Sequence, residues 1–248
     1  MQDHPIFTES IRRIRGLLTA QATDDRALAA WLKALAPLER DVLERCIHSS
    51  GDVSIAADLC FSPPDRPHGE GAFAPSDGST EAGACARGLA ALRAGAPILT
   101  DTAMAAAAVA PMARRTFGNR VACLLEWAPD AAPAGSTRAA VGMERAWAEL
   151  ATGAAGSLPA PVVLIGSAPT ALELLLERVA AGVAAPSLLI GMPVGFVGVA
   201  ESKRHLAEAG LDHIRLEGSR GGAGLVAAAC NALLRAGWLT AENPPSQS

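Results

Sequence analysis

From residue 97 onward, short apolar runs alternate with longer amphipathic stretches. The runs are Pro97–Thr100, Val121–Leu125, Val162–Ile165, Leu188–Ile190 and His213–Leu216. Runs this short fit buried strands, and the helical spacing between and after them fits covering helices. Five strands separated by helices predict βαβ units, hence a parallel sheet with helices on both faces. Strand order does not follow from the pattern. Upstream, Ile11, Ile14, Leu17 and Leu18 recur at helical spacing, with Thr8 and Ser10 as candidate caps. A second stripe through Leu28, Trp31, Leu32 and Leu35 breaks at Pro37 and resumes through Leu38, Val42, Leu43 and Ile47, and His48 closes that third stretch. Ser62–Glu81 is rich in Pro, Gly, Asp and Ser and reads as a long loop, disordered more readily than a lid or an oligomer contact. Residues 241–248 read as a frayed tail, leaving residues 1–240 as one α/β domain with N-terminal helices.

Composition narrows the class. Half of the 248 residues are hydrophobic, 4% are aromatic and none is tyrosine, so the core must be built from Ala, Leu, Val and Ile. A formal net charge of −4 argues against nucleic acid as partner, because phosphate neutralisation needs a dense basic face. A small polyanion met by a few arginines remains open. Cys46, Cys60, Cys85, Cys123 and Cys230 are scattered and odd in number, which fits reduced thiols in a core. Met1 to Leu18 carries acids, proline and arginines where a secretory leader needs an apolar run, and Ala103 to Ala113 is too short to span a bilayer. A cytoplasmic chain without membrane contact is expected.

The most informative stretch is Gly191-Met192-Pro193-Val194-Gly195-Phe196-Val197-Gly198-Val199-Ala200-Glu201-Ser202-Lys203, fed by a strand and left by a helix. Its glycines permit turns and close approach, and strand-to-helix loops form the ligand edge of parallel sheets. A plain packing turn is equally compatible with these residues. Gly218 to Gly224 is a second such joint. Gly222 to Ala227 fits G-x-G-x-x-A, but no second strand and acidic residue follow, so a nest of amides for a carboxylate is the more economical reading than a dinucleotide site. His48, followed by Ser49, Ser50 and Gly51, reads as a histidine at a helix C-terminus, either capping the last carbonyls or, favoured there as imidazolium, donating a proton. Arg45 lies one turn earlier on the same face and can hold an anion or pair with Asp41 or Glu44. Thr137-Arg138 opens a helix, where arginine is either a surface ion pair or an anion ligand. Asp101 and Met104 follow a strand, and Asp101 is a candidate helix cap. Ser167-Ala168-Pro169-Thr170 is a similar turn. His4, His68, His205 and His213 read as surface or loop residues, and no pair has zinc spacing.

Six segments, in order, resemble those of precorrin-8X methylmutases, isomerases of corrin-ring biosynthesis. They are the Gly191–Lys203 run, Arg45-Cys46-Ile47-His48 with Gly51-Asp52-Val53 and Ala56-Ala57-Asp58-Leu59, Ala94 to Asp101 with Met104, Thr137-Arg138-Ala139-Ala140, Ile165 to Leu172, and Arg220-Gly221-Gly222 with Ala227-Ala228-Ala229. The resemblance implies a flavodoxin-like three-layer α/β/α sandwich and a homodimer. It further implies a methyl shift from carbon 11 to carbon 12 of precorrin-8X or its cobalt form, giving hydrogenobyrinic acid or its cobalt counterpart, with no redox change, metal or cofactor. In that reading His48 is the proton donor. Substrate contacts fall on Ser10, Arg45, Asp101, Met104, Thr137, Arg138, Ser167, Ala168, Thr170, Gly195, Gly221 and Gly222. The chain departs from the family at Ser167, usually asparagine, and in the length of Ser62–Glu81. A carrier of corrinoid intermediates and a nucleotide-binding flavodoxin-like protein are the rival readings.

Overall fold

The computed structural model describes residues 4–62, 83–151 and 158–242, with side chains described as far as Leu239. The expected loop beyond Ser62, His68 within it, and residues 243–248 of the expected tail lie outside the described residues.

Three helices open the fold. α1 (Pro5–Asp24) begins before Thr8 and Ser10, because His4 Nδ1 accepts from the Ile6 amide at 3.2 Å and Pro5 presets the first turn. Ser10 therefore lies inside the helix and is not its cap. α2 (Arg26–Ala34) is capped by Asp25, whose carboxylate accepts from the Ala27 and Leu28 amides. α3 (Pro37–Ser50) starts at the expected proline break and ends at Gly51, whose φ of 71° closes the helix in the left-handed region.

The sheet has six strands rather than five. β1 (Leu59–Phe61) runs antiparallel to β6 (His213–Leu216) at one edge. A three-residue Leu-Cys-Phe segment beside a polar loop carries no periodicity of its own. The others, β2 (Ile98–Thr100), β3 (Val121–Cys123), β4 (Val162–Ile165), β5 (Leu188–Gly191) and β6, are parallel as expected, and the full order is β1-β6-β5-β4-β2-β3. The five parallel strands alone follow the doubly wound 2-1-3-4-5 order, which reverses direction between β2 and β4.

Alternation along the strands sorts the core into two layers. Ile98, Val162, Leu164, Leu188, Ile190 and Ile214 face α3, α4 (Ala84–Arg93), α5 (Ala103–Arg115) and α9 (Ala223–Glu242). Leu99, Val163, Ile165 and Leu189 face α6 (Arg138–Leu150), α7 (Pro169–Ala180) and α8 (Val199–Glu208). The result is the three-layer α/β/α sandwich. α9 carries Ala227, Ala228, Ala229 and Ala232, small enough for α3 and α5 to approach closely. No helix among the described residues is long and apolar enough to cross a membrane.

Leu164 is fully buried at the centre of β4. Leu164→Ala is expected to cost about 2–5 kcal/mol, the lost transfer energy plus the cavity left behind, measured as a shift in the chemical-denaturation midpoint. A change below about 1 kcal/mol would contradict this assignment of the core.

Candidate active site

His48 stands exposed in the last turn of α3. Its Nδ1 lies 2.8 Å from the Ser10 hydroxyl, and Nε2 has no hydrogen-bond partner among the described residues. Phe7, one turn before Ser10 on α1, meets the imidazole edge-on with ring centroids 5.2 Å apart. Two side chains of the first helix thus hold the ring. The end of α3 abuts the start of α9, where Ser49 Oγ reaches the Gly224 carbonyl at 3.5 Å. Because α9 begins directly after β6, this contact places His48 at the carboxyl edge of the sheet.

At that edge the turns after β4, β5 and β6 are laced together by backbone bonds. The amide of Met192 donates to the Ile165 carbonyl at 2.8 Å, Val194 to Gly166 at 3.2 Å, Gly195 to Ser219 at 3.0 Å and Gly222 to Met192 at 2.9 Å. A β-carbon on Gly221 would overlap the Met192 carbonyl oxygen, and Gly222 has a φ of 129°. Glycine is therefore required by packing in one case and by conformation in the other. The amides of Gly195 and Gly222, expected to face an acceptor, are consumed by this lacing. Fully buried Lys203 on α8 fastens the last turn, its Nζ donating to the Gly218 carbonyl at 2.8 Å and the Arg220 carbonyl at 2.6 Å. The Arg220 guanidinium in turn donates to Asp52 Oδ2 at 2.6 Å, to Ser54 Oγ at 2.7 Å and to Asp58.

Where strand order reverses, Asp101 turns inward. It is 2% exposed, and its Oδ2 accepts from the amides of Ser167 at 2.5 Å and Ala168 at 2.8 Å. Thr102, not Asp101, caps α5, accepting from the Ala105 amide. Burial raises the Asp101 carboxyl above its ordinary range despite those bonds. This internal carboxylate fills the amide cradle at the start of α7 that an anionic ligand would otherwise use. Asp101 Oδ2 and the amides of Ser167 and Ala168 thus shape this turn. The Ser167 side chain remains exposed, with no partner among the described residues.

Nearby, the starts of α6 and α7 converge. Thr137 caps α6 through the Ala140 amide at 3.1 Å, and its hydroxyl lies 2.7 Å from that of Thr170. Arg138, first in α6, is exposed, and its Nε donates to the Pro129 carbonyl at 2.8 Å. Met104 and Phe196 are 70% and 95% exposed and follow β2 and β5, the strands on either side of β4.

Between α1, α3 and α9 opens a cavity of about 430 Å³. Arg45 and Arg235 lie over the Phe7 ring at 4.6 Å and 5.4 Å from its centroid. Arg15 clasps buried Glu44 with contacts of 2.7 Å and 2.8 Å. Burial raises the Asp41 carboxyl, with Arg235, Arg15 and Arg45 acting in the opposite sense. His48 is not on the wall of this cavity, but Phe7 touches both. The cavity wall carries Arg12, Arg15, Arg45 and Arg235 against Asp41 and Glu44.

Phe7, Arg15, Arg235 and Lys203 were not singled out as site residues from sequence, because their roles arise only when distant helices meet. His213 was expected at the surface but is buried in β6, Nδ1 donating to the Leu211 carbonyl at 2.9 Å, as its place in an apolar run permits. His205 is half-exposed beside Glu173. Burial pushes the Cys46 and Cys230 thiols up to about 12, so both act as small core residues. Among the described residues, no three His, Cys, Asp or Glu side chains gather to hold a metal ion.

Residues 5–236 match the family model described as precorrin-8X methylmutase. A cobalt-precorrin-8 methylmutase of Synechocystis sp. is 36% identical, over 95% of this chain and 97% of its own length. A precorrin-8X methylmutase of Pseudomonas aeruginosa is 43% identical over 76% of this chain and 80% of its own. The crystal structure of a precorrin-8X methylmutase from Thermus thermophilus matches with a TM-score of 0.69 at 35% identity, covering 94% of this chain and 98% of that one.

Neighbouring glycines have opposite expectations. Gly221→Ala forces a β-carbon into backbone and should cost roughly 1–3 kcal/mol. Gly224→Ala, where the nearest atom to an added β-carbon is Ser49 Oγ at 3.9 Å, should be neutral or stabilise by up to about 1 kcal/mol. Equal denaturation midpoints for the two variants would contradict the laced edge. Burial also pulls the Lys203 ammonium down to about 8 from its ordinary 10.5. Between those values the unfolded chain binds more protons than the folded one, so this group makes stability rise with pH, by up to roughly 3 kcal/mol across the window. The buried thiols, raised above their ordinary value, act in the opposite sense over the same window in both proteins. In denaturation the rise should therefore appear as the stability of the wild type relative to Lys203→Met increasing between pH 8 and pH 10; identical pH dependence would count against it.

Proposed function

This chain belongs to the precorrin-8X methylmutase family, and we propose that it catalyses the family's isomerisation, with His48 as proton donor to the bound corrin precursor. The observation that carries the reading is the disposition of His48: exposed at the sheet's carboxyl edge, held through Nδ1 by Ser10 and edge-on by Phe7, with Nε2 unengaged by any described residue. An imidazole fixed on one nitrogen presents the other in a defined direction. That is the requirement for general acid catalysis on a ring nitrogen.

In this reading, Nε2 lends a proton to a nitrogen of the macrocycle. The conjugated ring becomes electron-poor, and the methyl leaves carbon 11 with its bonding pair as the bond to carbon 12 forms. The imidazole then recovers its proton, so the step is redox-neutral and the enzyme returns to its starting state. Ser10 orients the ring rather than reacting. The precursor's carboxylate arms need donors, and the converging starts of α6 and α7 supply Thr137, Arg138 and Thr170 at one place on the edge. Arg45, stacked on Phe7, offers a second charge near His48. Gly195, Gly221 and Gly222 contribute a smooth floor of packed backbone, while Met104 and Phe196 offer apolar contact to the flat ring. Their exposure also supports assembly as a homodimer that covers part of this edge, and the free cysteines fit work in the cytoplasm.

The test is conversion of precorrin-8X, or its cobalt form, followed by absorbance. His48→Ala should lower turnover by about 10²–10⁴-fold while still binding the precursor, and Ser10→Ala should lower it by about tenfold or less, the net worth of one hydrogen bond. A wild-type protein that binds the precursor and leaves its spectrum unchanged would be a carrier. Full turnover by His48→Ala would remove the histidine from the chemistry.

A further inference from the structure

We infer that Lys203 is a positioning residue for His48, acting through the turn of residues 218–220 and the side chain of Arg220. The inference rests on the proposed role of His48 for its kinetic readout, though not for its spectroscopic one.

Lys203 is fully buried, yet no carboxylate lies within ion-pair distance of it among the described residues. Asp58 attracts the ammonium from farther off, and Arg220 repels it. A buried charge in that state is costly to keep, and replacing buried charged groups by apolar ones of similar volume is often neutral for stability. Its contribution lies in what it grips. Nζ donates to the Gly218 and Arg220 carbonyls, which belong to a glycine-bounded turn whose backbone has few conformational restraints of its own. Holding those carbonyls fixes the peptide from which the Arg220 side chain departs.

Arg220 then carries the restraint across the sheet edge. It donates to Asp52, Ser54 and Asp58, three residues of the segment that leaves α3. Asp52 is four residues beyond His48. Its amide donates to Ser50 Oγ at 3.2 Å, and that hydroxyl donates to the Cys46 carbonyl at 2.9 Å in the last turn of α3. The chain of contacts therefore runs from α8, through the β6–α9 turn, to the helix end that bears the imidazole. Ser10 and Phe7 hold the ring itself; Lys203 and Arg220 hold the helix end beneath it. Misplacing a reacting group by about 1 Å can cost about 10²-fold in rate.

The experiment compares wild type, Lys203→Met, Arg220→Met and the double variant, with exposed Arg204→Met as the control. Each is read by kcat and KM and by the NMR resonance of the His48 Cε1 proton. The expected result is a fall in kcat of about 10²-fold in either single variant with little change in KM. The His48 resonance should shift in both, the double variant should be no worse than the worse single, and the control should match wild type. If Lys203→Met leaves kcat and the resonance unchanged, or if the two losses multiply in the double variant, the inference is overturned. Should Lys203→Met not fold, Arg220→Met decides alone: an unshifted His48 resonance with normal kcat rejects the relay. If the wild type itself shows no turnover, the proposed function fails, and the His48 resonance still tests the positioning.

Discussion

The packing of α3 along α9 is the constraint on which the site depends. Val42, Leu43, Cys46 and Ile47 form the buried face of α3, and the alanines of α9 let the two backbones come close. α9 starts where the β6 turn ends, so whatever stands at the finish of α3 stands at the carboxyl edge of the sheet. His48 is that residue. Without this contact, the N-terminal helices would be an appendage and the imidazole would stand away from the sheet's edge.

The edge itself is built so that backbone and side chains divide the labour. Amides of the glycine turns satisfy one another, Asp101 fills the start of α7, and Lys203 fills the turn before α9. The glycine turns and Asp101 consume donors that a ligand would otherwise find, and Lys203 consumes carbonyl acceptors, leaving a closely packed rim. In the proposed reading, recognition falls to groups that project from it: the imidazole, the Thr137–Thr170 pair, Arg138 and Arg45. A rigid floor with projecting donors suits a large flat anion, because the floor costs no ordering on binding and the donors meet the arms.

Much of this was legible in the chain. Five apolar runs located five strands, the break at Pro37 located the start of α3, and Gly51 marked its end, because each signal is local. β1 escaped because three residues show no period, and Ser10 was misread as a cap because Pro5 and His4 start the helix earlier. Motif also pointed to His48, Thr137-Arg138 and the glycine turns, and the structure brings these residues to the carboxyl edge of the sheet. Motif reading named Asp101 as a contact; what it could not show is that its Oδ2 is taken by the Ser167 and Ala168 amides, from another strand's turn. The roles of Phe7, Arg15, Arg235 and Lys203 exist only through partners from 15 to 228 residues away in sequence, so no local pattern announces them.

The central claim is that one imidazole delivers a proton to a macrocycle seated on this edge. A structure of the protein with the product bound measures it directly. The expected result is His48 Nε2 within about 2.6–3.2 Å of a ring nitrogen, with Ser10 still on Nδ1. A ring bound elsewhere, with His48 facing only solvent, would contradict the account.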